Sequence, residues 1–268
     1  MDMLPRMENK PVEPRAPNEG AQTIRRAIRA LKLVAMQPAS GMRLIDLAKH
    51  MQLQRPTAHR LLKALVAEGM LTQYAGSRRY NLGPLLFELG LAAAHQFNLC
   101  DICQPVLAAL AEASGDTAFL FVRSGNDAVC IARVQGTFPI QTPAVPVGAR
   151  QPLGVNAGGL ALLSALPPAE VRDIVESISP RLSIYGNLSA ALILEYCVGA
   201  RKAGYALIGN RAVPGVTAVG LPLLSNAGLP IAAITVAATS SRMVEARVRE
   251  VVLLLRKSVS ELARLLHQ

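Results

Sequence analysis

Cysteine is scarce in this chain. Its 4 cysteines, Cys100, Cys103, Cys130 and Cys197, are too few and too scattered for a disulfide framework, which predicts a reducing, cytoplasmic setting. Cys100-Asp-Ile-Cys103 has a CxxC spacing, but no second CxxC or histidine pair accompanies it. These thiols are therefore expected to be small buried apolar groups, with no metal and no cofactor. No apolar stretch reaches the roughly 18 uncharged residues that a membrane span needs, so no membrane partner is expected. Residues 1–20 are rich in Pro, Glu and Asn and lack an apolar signal core; they read as a disordered tail.

Catalytic raw material is also missing. Past the first 83 residues the only histidines are His95 and His267, so a histidine acid/base mechanism has little to work with. No G-x-S-x-G occurs. Gly215 and Gly220 are spaced like a phosphate loop, but no Lys-Ser/Thr follows. An enzyme is not expected, and no catalytic residue is assigned.

What is present is positive charge, unevenly placed. Residues 1–82 hold 14 Lys/Arg against 6 Asp/Glu, a net of +8, whereas residues 83–268 hold 14 against 12, a net of +2. A basic head on a near-neutral body is the footprint of a polyanion-binding module attached to something else. A chain of 268 residues has room for two modest domains.

The head carries a compact pattern between Met42 and Leu82. Apolar positions Ile24, Ala27, Ile28, Leu31 and Val34 predict a helix over 23–37 with Thr23 as its N-cap. Leu44 to Met51 predicts a short second helix, and Gln52-Leu-Gln54 a turn. Pro56 suits the first helical position of a third helix, which runs to Glu68 and stops at Gly69. On that helix Ala58, Leu61, Leu62 and Leu65 share one face. Leu71–Tyr74 and Arg79–Leu82 predict a hairpin with Ala75-Gly-Ser-Arg78 as its turn.

That order is a winged helix-turn-helix, and an α-helix fits the major groove of double-stranded DNA. Gln54, Arg55 and Arg60 are the candidates for base edges; Thr57, His59 and Lys63 are candidates for phosphates. Arg78 and Arg79 are placed at the wing tip, and Arg43 at the start of the second helix joins the DNA-binding set. The head is bounded at 21–83. Residues 84–98 read as a linker helix with Glu88 as its only charge, so apolar that it should be buried against its twin in a homodimer.

Residues 99–268 alternate helices and strands. Helices are expected over 101–114, 156–166, 169–177, 189–203 and 243–267. Hairpins are expected about Ser124-Gly-Asn126 and Ser225–Gly228. Strands with long crossing helices make an α+β domain. Gly154, Gly158 and Gly159 serve either turns and close packing or the approach of a ligand.

In this order the chain resembles the IclR family of bacterial transcription regulators over about Thr23 to Leu266. The resemblance rests on Leu53-Gln-Arg-Pro-Thr-Ala-His-Arg-Leu-Leu62, Ala67-Glu-Gly-Met-Leu71 and Tyr80-Asn-Leu-Gly-Pro84 in the head. In the body it rests on Arg133-Val-Gln-Gly136, Val147-Gly-Ala-Arg-Gln-Pro-Leu153, Gly204-Tyr205, Pro214-Gly-Val216 and Ser240-Ser-Arg242. It implies a homodimer or dimer of dimers, a DNA-binding head and a GAF-like body that binds a small-molecule effector. The implied pocket comprises Ile140, Asn156, Ala157, Gly158, Ile208, Val216, Ala218, Thr235 and Ala237. A carboxylate at the start of a helix can be held by free backbone N–H groups, which suits Gly158 and Gly159.

This chain also departs from the family. Pro56 stands where relatives often have Ser. Several polar pocket positions are here Ile208, Ala218, Thr235 and Ala237. The resemblance therefore implies either a more apolar effector, such as an aromatic or branched organic acid, or a pocket that binds nothing. Rivals are a ligand sensor without DNA and a winged-helix regulator of another family. Repressor and activator stay equally open.

Overall fold

The computed structural model describes residues 19–37, 40–74, 76–94, 99–186, 188–211 and 213–266. The tail expected at 1–20 lies outside the described residues up to position 18; Glu19 and Gly20 already belong to the first helix. The chain divides into two compact units, Met1–Ala92 and Ala93–Gln268.

In the first unit, helix α1 spans Glu19–Ala35. It starts a turn earlier than the Thr23 cap implied, because Glu19, Ala21 and Gln22 are good helix formers and the helix continues back through them. Strand β1 (Met42–Arg43) leads into α2 (Leu44–Met51) and α3 (Arg55–Ala67). Between the two helices Gln52 takes a left-handed φ of 54°, and the Leu53 N–H donates to the Ala48 carbonyl at 2.9 Å. Pro56 is the second residue of α3 rather than the first. Beyond α3, Gly69 turns with φ +69° and the Met70 N–H returns to the Leu65 carbonyl at 2.9 Å, which ends the helix.

Strands β2 (Leu71–Gln73) and β3 (Arg79–Leu82) form the wing. With β1 they make a three-stranded antiparallel sheet in the order β1-β3-β2. Ala30 and Val34 of α1 close over Leu47, Met51, Ala58, Leu62 and Leu65, and Leu71 and Tyr80 complete this core. Leu61 packs at its edge. Helix α4 follows at Pro84–Ala94; the end of the linker expected at 84–98 lies outside the described residues.

The second unit is built on a six-stranded antiparallel sheet. Its strands are β4 (Thr117–Ser124), β5 (Asp127–Val134), β6 (Arg150–Pro152), β7 (Ala206–Gly209), β8 (Val216–Leu224) and β9 (Pro230–Thr239), in the order β6-β5-β4-β9-β8-β7. Strand alternation sorts side chains to two faces. Phe119 and Phe121 of β4, with Ala233 and Ala237 of β9, join one core, together with α6 (Ala157–Ser164), α7 (Pro168–Ile178) and α8 (Ala190–Ala203). Ala118, Leu120, Ile234 and Val236 join the other, with α5 (Leu99–Ser114) and α9 (Glu245–Leu266). The fold is α+β, a winged helix-turn-helix head followed by a GAF-like domain with helices on both faces of its sheet.

Buried Asp116 ties the second core's ends together. It pairs with Arg242 at 2.8 Å and Arg247 at 3.0 Å, and the Arg242 guanidinium lies 4.0 Å over the Phe138 ring. Cys103, Cys130 and Cys197 are buried, and burial pushes their thiols up to about 11. Among the described residues no helix is long and apolar enough to cross a membrane.

Candidate nucleic-acid interface and ligand cavity

The apolar spacing that turns Ala58, Leu62 and Leu65 inward leaves the other face of α3 in solvent. Gln54, Arg55, His59, Arg60 and Lys63 are exposed on it, and Thr57 is half-buried. Among the described residues none of the exposed five has a hydrogen-bond or ion-pair partner through its side chain. Gln54 stands at the N-cap without a side-chain hydrogen bond, so the first-turn N–H groups of Arg55 and Thr57 are uncapped by any side chain. The wing tip carries exposed Arg78 with a left-handed φ of 51°. His59, Gln73, Tyr74 and Arg78 border one groove between α3 and the wing.

Two of the expected DNA-contact arginines are engaged by the protein instead. Arg79 is not at the tip. It lies in β3 opposite Arg43, half-buried, and its guanidinium donates to the Gly41 carbonyl at 2.9 Å. Arg43 donates to Asp46 at 2.8 Å, a hydrogen bond that raises the guanidinium's pKa and lowers that of the carboxyl.

In the second unit a cavity of about 50 Å³ opens where α6 begins over the sheet. That is room for roughly four water-sized groups. Eight of the nine residues expected there line it: Asn156, Ala157, Gly158, Ile208, Val216, Ala218, Thr235 and Ala237. Ile140 does not. It is 60% exposed in an irregular segment, because its neighbour Gln141 takes the inward place, donating to the Gly115 carbonyl and accepting from the Thr117 hydroxyl.

The sheet places the lining by register. Ala218 lies opposite Ala237, Phe119 opposite Thr235, and Ile208 opposite Ala218. Gly220 lets α6 approach the sheet: a Cβ there would stand 2.8 Å from the Ala157 carbonyl oxygen. Asn156 is spent on the helix start. Its Oδ1 accepts from the Gly159 N–H at 2.7 Å and its Nδ2 donates to Gln151 at 2.6 Å. The N–H groups of Ala157 and Gly158 have no acceptor among the described residues. Thr235 is 2% exposed, and its hydroxyl, unpartnered among the described residues, opens on the cavity.

Several lining residues escaped the sequence reading. Phe121 stacks on Phe119 with centroids 6.0 Å apart and lays its ring against Gly158. Arg211, half-buried, is the one charged residue in the lining among the described residues. Strand alternation could have found Phe121; Arg211 lies in a loop, where no periodicity marks it.

Comparison with known proteins accounts for both units. Residues 23–74 match the IclR helix-turn-helix domain and residues 91–264 match the bacterial transcriptional regulator IclR C-terminal domain. The chain is 29% identical over 231 residues to the HTH-type transcriptional regulator BhcR of Paracoccus denitrificans, covering 85% of this chain and 81% of that one. It is 27% identical over 234 residues to the HTH-type transcriptional repressor AllR of Escherichia coli K12, covering 85% and 84%. Among solved structures, an IclR homolog from Microbacterium hydrocarbonoxydans complexed with 4-hydroxybenzoate superposes with a TM-score of 0.69 at 22% identity, covering 91% of this chain and 99% of that one. The chain belongs to the IclR family of bacterial transcriptional regulators, a family of DNA-binding regulators rather than enzymes.

Proposed function

We propose that the chain is a cytoplasmic, dimeric regulator whose paired heads bind a pseudo-palindromic operator and whose second unit takes a rather apolar organic acid. The observation that carries the DNA reading is the face of α3. Arg55, His59, Arg60 and Lys63 stand exposed beside Arg78 of the wing, with no partner in the chain among the described residues. Ionic side chains without partners, on a helix of a size to enter the major groove, suit phosphates and base edges.

Dimerisation rests on apolar surface left open in one chain. Phe87 and Leu89 of α4 are 69% and 51% exposed, and Ile24 and Ile28 of α1 are 62% and 47% exposed. A second copy would cover them and pair two DNA half-sites, as a dimer or, if dimers pair again, a tetramer.

The effector reading rests on the cavity. Two free amides at the start of α6 can take a carboxylate, Thr235 can take one further polar group, and the remaining walls are mainly apolar. The Microbacterium relative held 4-hydroxybenzoate, which is of the same chemical kind. An apolar cavity that takes benzene measures about 150 Å³. The cavity of about 50 Å³ must therefore open for a ring, and Phe121 is the wall nearest the helix start. Ligand thus favours an opened body, and it can alter DNA binding only by that preference.

The test is a mobility-shift titration on the DNA just upstream of the gene, against a scrambled duplex, at two salt concentrations. Selective nanomolar binding that weakens with salt is expected. Equal weak binding to both duplexes, persisting on sites selected from random DNA, refutes the DNA reading. For the effector, benzoate-like acids should raise the melting temperature more than pyruvate-like acids; the opposite order refutes an apolar ligand.

A further inference from the structure

The wing and α3 do not account for all the positive charge of the head. On α1, Gln22, Arg25, Arg26 and Arg29 recur at three- and four-residue intervals and so share one helix face. That face borders a groove whose other lining residues are Met51, Gln52 and Leu53, the turn that leads into the N-terminus of α3. Among the described residues no acidic one lines the groove. Arg29 is anchored by donating to the His50 carbonyl at 3.1 Å. Arg25 is exposed and Arg26 half-buried, and neither has a partner among the described residues. Three guanidinium groups on one helix edge repel each other, and none of the described residues lining the groove supplies a counter-charge.

We propose that the Arg25–Arg26–Arg29 edge of α1 is a second DNA-backbone contact, receiving phosphates beside the N-terminal end of the recognition helix. This rests on the reading that the head binds duplex DNA. The wing then holds backbone where His59 and Arg78 meet, and α1 holds it where the turn enters α3. Contact to phosphate rather than to bases follows from position. The recognition helix occupies the groove, and a helix packed behind its turn meets the rim, where oxygen acceptors repeat without regard to sequence. The edge therefore adds affinity and salt dependence and leaves selectivity alone.

The experiment uses the full chain and fluorescence anisotropy on the specific and scrambled duplexes across a salt series. The variants are R25Q/R26Q, the charge-keeping R25K/R26K, and K202Q, an exposed residue of α8, as a charge control. Each phosphate contact contributes about 0.9 to the slope of log K against log salt, so R25Q/R26Q should lower its magnitude by about 1.8 per head. Both duplexes should weaken together, with their affinity ratio kept within about twofold; R25K/R26K should keep the slope, and K202Q should leave it unchanged. If the wild type binds but the R25Q/R26Q slope is unchanged, or its selectivity collapses at constant slope, this proposal falls and the DNA reading stands. If the wild type binds no duplex, both fall.

Discussion

Replacing Gly158 with alanine tests how the cavity is built. The new methyl carbon would stand 2.7 Å from Cγ of Phe121 and 3.0 Å from its Cε2, where ordinary contact is 3.4–4 Å. The ring cannot retreat along the sheet. It is 3% exposed and stacked on Phe119 at 6.0 Å. Only the adjoining cavity, about 50 Å³, is open to it. Overpacking of this kind costs about 1–3 kcal/mol. In a unit of this size each kcal/mol moves the melting temperature by about 2–4 °C, so Gly158→Ala should lower it by roughly 5 °C. The displaced ring should also fill the ligand space and abolish any stabilisation by acids. Calorimetry with and without benzoate-like acids reads both effects. Phe121→Leu trims the obstructing ring, so the double variant should be more stable than the two single costs predict, by about 1 kcal/mol. Strict additivity, or a Gly158→Ala protein that melts and binds like the wild type, would refute the argument.

Arg60→Ala should cost roughly 1–3 kcal/mol of operator binding and relax selectivity if the side chain reads a guanine; equal weakening of specific and scrambled duplexes would make it a phosphate contact instead. Asp116→Ala removes a carboxylate that is 1% exposed and leaves Arg242 and Arg247 facing each other, so it should destabilise the second unit by about 3 kcal/mol in chemical denaturation; a loss below 0.5, estimated on the same scale, would contradict its role as a tie. Cys103, Cys130 and Cys197 should resist a thiol reagent until the protein unfolds, whereas half-buried Cys100 reacts first. Their folded-state values of about 11 exceed the ordinary 9.0, so their contribution to stability is complete below pH 9 and is lost as the pH rises from 9 towards 11; stability unchanged across that window would refute the burial.

The parts of this fold legible in the sequence are those whose cause is local. The inward stripe Ala58–Leu62–Leu65, the place of Pro56 in the first turn, one residue later than expected, and the stop at Gly69 each follow from helix geometry within a few residues. Strands β1, β6 and β7, of two to four residues, left no readable alternation, because they exist only through pairing with a neighbour. Arg79 was misplaced for a related reason. Its sequence position says tip, but the pairing of Arg43 with Arg79 carries the strand past it and gives its guanidinium to Gly41. Thr23 looked like a cap because capping residues favour helix starts, yet the good helix formers before it carry the helix further back.

The cavity shows the same division more sharply. Family resemblance supplied eight lining positions; strand alternation puts Phe121 on the same face as Phe119, but its place against the start of α6 follows from the sheet register and the approach of that helix. Small residues make the room: Ala218 and Ala237 face each other in register, and Gly220 admits the helix start. Phe121 bounds that room, its ring lying against Gly158. A ligand ring bound as proposed would compete with the Phe121 ring for one volume beneath two amides that have no acceptor among the described residues. Apolar side chains on the strands are compatible with the binding proposed above. On the proposed effector reading they would change what is bound: the two amides would take a carboxylate, and the apolar walls would favour a ring or branched chain over a small polar acid.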